Sequence, residues 1–329
     1  MRPFLSACLG ICLALVTAGG AQAATTLKIG TLAPSDSPWG KEFKRWSHEV
    51  SVDTNGEVAL DFQWNAQAGD EVLMVQKIRT GQLDGAAVTA IGLAQTGVTD
   101  VLLFQMPGLF ANWGKLDQAR DAMREEFDRQ FAGKGFAVLG WGDVGAVKTM
   151  TAGFEVHHPA DLQAKGCFFL AGDPIEPKIF AAIGGITPAQ VTVNEVLPGL
   201  TNGSITVLPA PPLAAEQLQW ASRITNLNTM TSSFEIGAII VSSARLQGLP
   251  QRLHDVVATR GREAAERLTK SIRTLDAQAF NRLKASKAVY EPNDAEKNEW
   301  RDLFARVRQS LRGSVFTPAL FDRVVDLAR

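Results

Sequence analysis

Apolar residues recur along the chain with two periods, one typical of strands and one typical of helices. Residues 26–30 and 58–64 alternate apolar and polar positions, which predicts two half-buried strands. Residues 39–50 lie between them and repeat apolar positions at helical spacing, which predicts a helix with one buried face. Strands and helices that alternate in this way indicate an α/β sheet architecture.

The same pattern continues and divides the chain into two regions. Strands predicted at 136–141 and 147–151 pair with each other and lead into a second region, which extends to about residue 235. A strand at 235–242 then returns to the first region. The other predicted elements are helices at 70–80, 115–131, 174–183 and 194–200 and strands at 86–89, 168–171 and 204–208.

One helix is predicted to be much longer than the others. Its apolar stripe runs through residues 250–287, and Pro250 suits a first-turn position. At 1.5 Å per residue this helix would be roughly 55 Å long, which exceeds one small domain. We therefore expect it to lie across both regions. Two shorter helices are predicted after it, one from 292–294 to near Gly313 and one from Thr317-Pro318 onward.

Length and composition predict the number of domains and argue against a nucleic-acid partner. The chain has 329 residues, which predicts about two domains at ~150 residues each. Its 33 Lys and Arg nearly balance 34 Asp and Glu, for a formal net charge of −1. Proteins that bind nucleic acid usually carry a basic excess, so no nucleic-acid partner is expected.

The first 23 residues have the three parts of a secretory signal peptide. Arg2 is followed by an apolar run at 4–16 and by Ala21-Gln22-Ala23, where cleavage after Ala23 is expected. The run is shorter than the ~20 residues that span a bilayer. A lipid-attachment sequence ending at Cys8 is the alternative, but it precedes any complete apolar region. The mature chain is therefore expected in the periplasm, without a membrane anchor.

Motifs for catalysis or metal binding do not stand out. Cys167 alone remains after cleavage, so no intrachain disulfide is expected, and a small buried hydrophobe is its simplest role. His157 and His158 would point apart on a strand and have no third ligand nearby. Neither a Gly-x-Ser-x-Gly nor a Ser-x-x-Lys sequence is evident, which argues against an exported hydrolase. We predict no enzyme activity, no metal and no cofactor.

Four stretches together carry a family resemblance. In order and spacing, residues 28–43, 69–86, 136–151 and 231–250 resemble the extracytoplasmic solute-binding proteins of TRAP transporters, the DctP-like family. The resemblance implies a two-lobed periplasmic-binding-protein fold (type II-like), with a hinge and a long helix spanning both lobes. Such a receptor closes on a small-molecule ligand and hands it to the TRAP membrane permease subunits.

The resemblance also suggests where the lobes begin and end. After the signal peptide at 1–23, lobe I is expected to comprise residues 24–147 and about 236–275. Lobe II is expected to comprise residues 148–235 and about 276–329. The long helix and the crossings near residues 147 and 236 would absorb the closing motion.

One departure from the family pattern changes the expected ligand. Most members carry an arginine on the first strand of the second lobe, which pairs with the ligand carboxylate, and this position falls on or beside Leu170. Residues 130–222 contain no arginine at all. Since a buried carboxylate needs a charge-assisted partner, we expect an apolar or amphipathic ligand instead. The resemblance extends to a branch of which some members work with a tetratricopeptide-repeat partner protein.

Eleven residues are the candidates for the ligand site, because they lie near strand ends, at glycine-flanked turns or beside the missing arginine. Core packing is the alternative for the aromatic residues, and helix capping is the alternative for Asp173. A carboxylate receptor that uses other polar groups, or a ligand-sensing module without transport, is the alternative function. The candidates are Trp39, Phe104, Met106, Trp141, Phe168, Phe169, Leu170, Asp173, Leu208, Pro209 and Trp220.

Overall fold

A computed structural model describes residues 24–329. The predicted signal peptide, its cleavage after Ala23 and the alternative at Cys8 lie outside the described residues. The strands are β1 (Thr25–Thr31), β2 (Val58–Gln63), β3 (Gly85–Thr89), β4 (Phe136–Thr151), β5 (Gly166–Leu170), β6 (Thr187–Val191), β7 (Val207–Ala210), β8 (Asn226–Ser242) and β9 (Ala288–Tyr290).

The helices pack on both faces of these strands. They are α1 (Pro38–Asp53), α2 (Glu71–Arg79), α3 (Ala90–Gln95), α4 (Trp113–Gly133), α5 (Glu176–Ile183), α6 (Val193–Asn202), α7 (Pro212–Gln217), α8 (Ser243–Gln247), α9 (Gln251–Ser286), α10 (Asp294–Leu311) and α11 (Pro318–Ala328). Short 3₁₀ turns occupy Thr99–Gln105, Pro159–Leu162 and Trp220–Arg223. Within residues 24–329, no helix combines the length and the apolar composition needed to cross a bilayer.

The nine strands of residues 24–329 belong to one sheet, whose order is β2-β1-β3-β8-β4-β7-β5-β6, with β9 beside β8. The first three strands are parallel to one another, and so are β5, β6 and β7. Between these two parallel groups, β4 and β8 pair antiparallel. Two long strands thus join two α/β halves, which confirms the α/β two-lobed architecture.

The periodicity predicted most elements of the first half within three residues of their observed ends. It was wrong about the crossing, where two paired strands were expected at 136–141 and 147–151. The structure has the single strand β4 there, and its register against β8 shifts beside Gly140 and Gly145. The glycines interrupt the apolar alternation, so the pattern of one irregular strand looks like two strands.

The sequence also missed parts of the second half. Strand β8 begins at Asn226 and not at residue 235, since polar residues 231–233 are only partly buried and break the apolar run. Strand β6 was not predicted because its residues are mostly exposed and include Pro188, which suits an edge strand. Cys167 of β5 is buried as expected, and burial raises the pKa of its thiol to about 12.

The long helix α9 packs directly against β4. It has 36 residues, as the apolar stripe predicted, and its buried face includes Leu253, Leu268 and Ile272. At Gly140 of β4 a Cβ atom would lie 2.4 Å from the Cβ of Ala265, so only glycine permits this approach of strand and helix. Helix α9 therefore packs tightly against β4, the strand that crosses between the two halves.

A buried ion cluster ties this strand to two helices. The Asp143 carboxylate of β4 is fully buried and accepts hydrogen bonds from Arg120 Nη1 at 2.7 Å and Arg273 Nε at 2.6 Å. Both arginines also bind the Asp117 carboxylate. The distance to it is 2.8 Å from the Arg120 guanidinium and 2.6 Å from the Arg273 guanidinium. Two acids and two bases thus neutralise one another among α4, β4 and α9.

The last two helices pack on different halves. Helix α10 lies against α5, and its Trp300 donates from Nε1 to the His157 carbonyl at 3.0 Å. Helix α11 lies against α4 of the first half. The lobe boundaries stay a prediction, and these contacts connect the segment after residue 276 to both halves.

Replacement of Asp143 by Ala should strongly destabilise the fold. It would leave the Arg120 guanidinium, whose side chain is 7% exposed, with only part of its charge compensated. Loss of one partner of a buried ion pair costs about 3–5 kcal/mol, which urea denaturation would measure. The control is Asp121→Ala on α4, whose side chain is 66% exposed and pairs only with Arg124. Equal effects of the two substitutions would contradict this role of the cluster.

Candidate functional site

A cavity of about 150 Å³ lies where the carboxyl ends of the two parallel groups face each other. Residues at the ends of β1, β3, β5 and β7 line it, and the middle parts of β4 and β8 contribute further residues. Ligands of open α/β sheets bind outside the carboxyl ends of strands, so the topology itself favours this place. A cavity of about this volume can hold a single benzene ring.

A second cavity of about 90 Å³ adjoins the first. The two cavities share Phe168, Leu170, Pro209 and Glu235 among their lining residues. Because the same four side chains face both spaces, one ligand could extend from the larger cavity into the smaller one.

Seven of the eleven candidate residues line one or both cavities. Phe168 and Phe169 point in opposite directions along β5, as the strand period requires. Phe168 packs edge to face on Trp220, whereas Phe169 packs edge to face on Phe180. Trp39 donates from Nε1 to the Asp143 carbonyl at 3.3 Å. The seven are Trp39, Phe168, Phe169, Leu170, Asp173, Pro209 and Trp220.

The other four candidates lie in the core, so their placement in the cleft was wrong. On β4, Gly140 and Gly142 line the cavity while Trp141 points to the opposite face. There its ring packs on three phenylalanines, Phe104 included, at centroid distances of 6.0 to 6.4 Å. The same alternation buries Leu208 beside Pro209. Phe104 and Met106 are buried under α4 and β8.

Sequence reasoning missed the charged residues of the site other than Asp173. No basic side chain of residues 24–329 lines either cavity, but five carboxylic acids do. A glutamate inside the apolar run of β8 was the available signal for Glu235. The five are Glu71, Asp143, Asp173, Glu176 and Glu235. No group of three or more side chains in the described part of the chain could hold a metal ion.

Three of these acids are bound by the protein itself. Asp143 belongs to the ion cluster. Glu71 accepts hydrogen bonds from the Thr89 backbone and hydroxyl at 2.6 Å and from the Gly92 N–H at 3.0 Å, at the start of α3. Asp173 accepts from the Ile175 N–H at 2.7 Å, just before α5. Asp173 thus binds backbone N–H groups next to the start of α5, although the N-cap position itself is Ile175, and Asp173 also lines the smaller cavity.

Glu176 and Glu235 differ from the other three acids. Neither carboxyl accepts a hydrogen bond from a described residue, and neither has a basic partner within 4.0 Å. Burial, together with the charges of Asp173, Glu71 and Asp276, raises the pKa of Glu235 to about 8. Burial and the charges of Asp173 and Glu235 also raise the pKa of Glu176.

Residues 29–312 match the model of one protein family, "Bacterial extracellular solute-binding protein, family 7", or DctP. The chain belongs to the DctP family. This family consists of solute-binding proteins, which confirms the expectation of a binding protein and not an enzyme.

Curated relatives of this DctP-family protein match it over 186 residues, or 56% of the chain. A solute-binding protein of Verminephrobacter eiseniae is 24% identical, and an uncharacterized protein of Sinorhizobium fredii is 27% identical. The matched segment spans 55% of the first relative and 34% of the second.

Solved structures share the fold of the DctP-family chain over nearly its whole length. A TRAP periplasmic solute-binding protein of Ralstonia eutropha with bound (S)-2-acetolactate has a TM-score of 0.85 at 19% identity, covering 92% of this chain and 98% of its own. The sugar acid binding protein of Advenella mimigardefordensis, in complex with galactonate, has a TM-score of 0.85 at 17% identity, covering 93% and 98%.

The stability of the DctP-family chain should fall as pH rises from about 5 to about 8. Glu235 keeps its proton in the folded state up to about pH 8, whereas the unfolded chain releases it near its ordinary pKa of 4.5. For each carboxyl of this kind, the free energy of unfolding therefore falls by up to about 1.4 kcal/mol per pH unit. Urea denaturation across this range should show that the free energy of unfolding declines less steeply with pH in Glu235→Gln than in the unsubstituted protein.

A matched control is Glu195→Gln on α6. Hydrogen bonds from the Thr192 backbone and hydroxyl hold the pKa of Glu195 below its ordinary value, so this acid is ionised throughout the range. Its substitution should shift stability equally at both ends of the range. A pH slope that is the same in Glu235→Gln and in the unsubstituted protein would contradict the raised pKa.

Proposed function

We propose that this chain is the receptor of a TRAP-type transporter and captures a small solute between its two lobes. Lobe I comprises 24–147 and about 236–275, and lobe II comprises 148–235 and about 276–329. The observation that carries the proposal is the cavity between the facing strand ends of the two halves, in a chain of the DctP family. The captured solute would pass to a membrane permease.

Closure of the lobes would bend the elements that both halves share. Strand β4 shifts register between Asp143 and Gly145, and Gly145 has a φ of 153°. A Cβ at Gly145 would lie 2.5 Å from the Pro211 Cβ, so a side chain would obstruct this crossing. A hinge of this kind needs a few residues that absorb large backbone changes.

The proposed ligand has a substantial apolar part. Aromatic and aliphatic side chains dominate the larger cavity, with Trp39, Phe168, Leu170 and Trp220 among them. Burial of apolar area contributes about 25 cal/mol per Å², or several kcal/mol over a few hundred Å². The solved relatives named above carry the carboxylates acetolactate and galactonate, but a desolvated carboxylate would find no basic partner in these cavities.

The place of action and the partners follow from the same proposal. A family of extracellular solute-binding proteins works outside the cytoplasm, in agreement with the predicted signal peptide and a periplasmic location. A tetratricopeptide-repeat partner stays a prediction of the resemblance alone. Restored uptake in a receptor-deleted strain would distinguish transport from ligand sensing without transport.

If a solute is retained in this cavity through purification, Leu170→Arg should release it. The substitution places a charge against the apolar walls of both cavities, which opposes binding of an apolar group. We expect at least about a ten-fold lower occupancy by native mass spectrometry, the equivalent of about 1.4 kcal/mol.

The control for this experiment is Val52→Arg, a charge added at a position on α1 that is 57% exposed. It should retain the occupancy of the unsubstituted protein. If Leu170→Arg retains the solute as well as Val52→Arg does, the solute binds elsewhere and the proposed site is wrong.

A further inference from the structure

Three hydrogen-bond acceptors beside the cavities have no donor in the described part of the chain. Two are the carboxyls of Glu176 and Glu235. The third is Gln105 Oε1, which is fully buried and accepts no hydrogen bond, although Gln105 lines the smaller cavity. Burial of the Gln105 Oε1 acceptor without a donor costs free energy, and the carboxyls of the partly buried Glu176 and Glu235 also lack donors, so all three favour a ligand that donates.

All three acceptors line the smaller cavity, whereas aromatic and aliphatic side chains dominate the larger one. Glu235 lines both cavities, whereas Glu176 and Gln105 line the smaller one, together with Ser232 and Ser233. Trp39 and Trp220 line the larger cavity. A molecule with a donating head and an apolar body would match this division.

Two helix starts beside the cavities already bind carboxylates of the chain itself. The Glu71 carboxylate binds the N–H groups at the start of α3, and the Asp173 carboxylate binds those at the start of α5. An anionic head would therefore meet carboxylates at the places where N–H groups would otherwise bind it.

We propose that the ligand carries a positively charged nitrogen, which binds between Glu235 and Glu176 while its apolar body fills the larger cavity. The proposal deepens the proposed function, because it rests on the same cavity and names the chemical class of its ligand. Charge-assisted hydrogen bonds from an ammonium group would satisfy acceptors that the chain itself leaves without donors.

Binding of such a cation would release protons. The charged groups that face Glu235 are Glu71 on α2, Asp173 before α5 and Asp276 on α9, and Glu176 faces Asp173 and Glu235. All are acids, so a bound cation favours the ionised carboxyls over the protonated ones. Lys148 of β4 does not compete, because its Nζ donates to the Thr229 carbonyl and the Thr231 hydroxyl at 2.7 Å. Affinity for the cation should thus rise between about pH 6 and about pH 8.

Three probes of similar size and different charge test the proposal by titration calorimetry of the mature chain. They are 2-phenylethylammonium, 2-phenylethanol and phenylacetate. The cation should bind about ten- to a hundred-fold more tightly than phenylacetate, the range of one charge-assisted hydrogen bond. Its apparent binding enthalpy should change with the ionisation enthalpy of the buffer, since protons are released.

Glu235→Gln and Glu176→Gln should each weaken binding of 2-phenylethylammonium by about ten-fold and leave 2-phenylethanol within about two-fold. The matched control is Glu125→Gln on α4, whose side chain is 93% exposed. It should leave the binding of all three probes unchanged.

The outcomes separate this proposal from the receptor function. Binding of 2-phenylethanol or phenylacetate as tightly as the cation overturns the cationic ligand and leaves the receptor function in place. Equal cation affinity in Glu235→Gln, Glu176→Gln and Glu125→Gln also overturns it. Binding of none of the three probes overturns the cationic ligand, and retention of the co-purified solute by Leu170→Arg overturns the receptor site independently.

Discussion

The bond between the buried Asp143 carboxylate and two arginines is the interaction on which the rest of the structure depends. Asp143 lies on β4, one of the two strands that both halves share, and its arginines come from α4 and α9. A fully buried carboxylate is tolerated only with compensating charges, so the three elements must meet at this point. The crossing strand, the long helix and a helix of the first half are thereby held in one arrangement.

The same ion pairs also determine whether the acids that line the cavities have a compensating charge. Asp143 lines the larger cavity, but the guanidinium groups of Arg120 and Arg273 compensate its charge. Glu71 and Asp173 are similarly occupied by backbone N–H groups. For Glu176 and Glu235 no described residue supplies a compensating charge, so these two carboxyls keep their protons to a higher pH than ordinary glutamates do.

Periodicity predicted most of the helices and strands, including the 36-residue helix α9, because a buried face repeats along a regular element. It placed Trp141 wrongly because alternation tells which residues share a face and does not tell which face meets the cavity. The apolar run of β8 could have drawn attention to Glu235, but the raised pKa of this residue was not predictable from the sequence. Its environment comes from Glu71, Asp173 and Asp276, which are distant in sequence, and only the folded sheet brings them together.

The buried position of Cys167 at the start of β5 has a chemical consequence for an exported chain. Oxidants and disulfides react with the thiolate, and with a pKa of about 12 the folded protein holds only roughly one thiolate in 10⁵ at neutral pH. The native receptor can therefore meet the oxidising surroundings outside the cytoplasm without cross-linking through this residue. Unfolding would return the thiol to ordinary reactivity, so oxidation at Cys167 would mark the molecules that have lost their native structure.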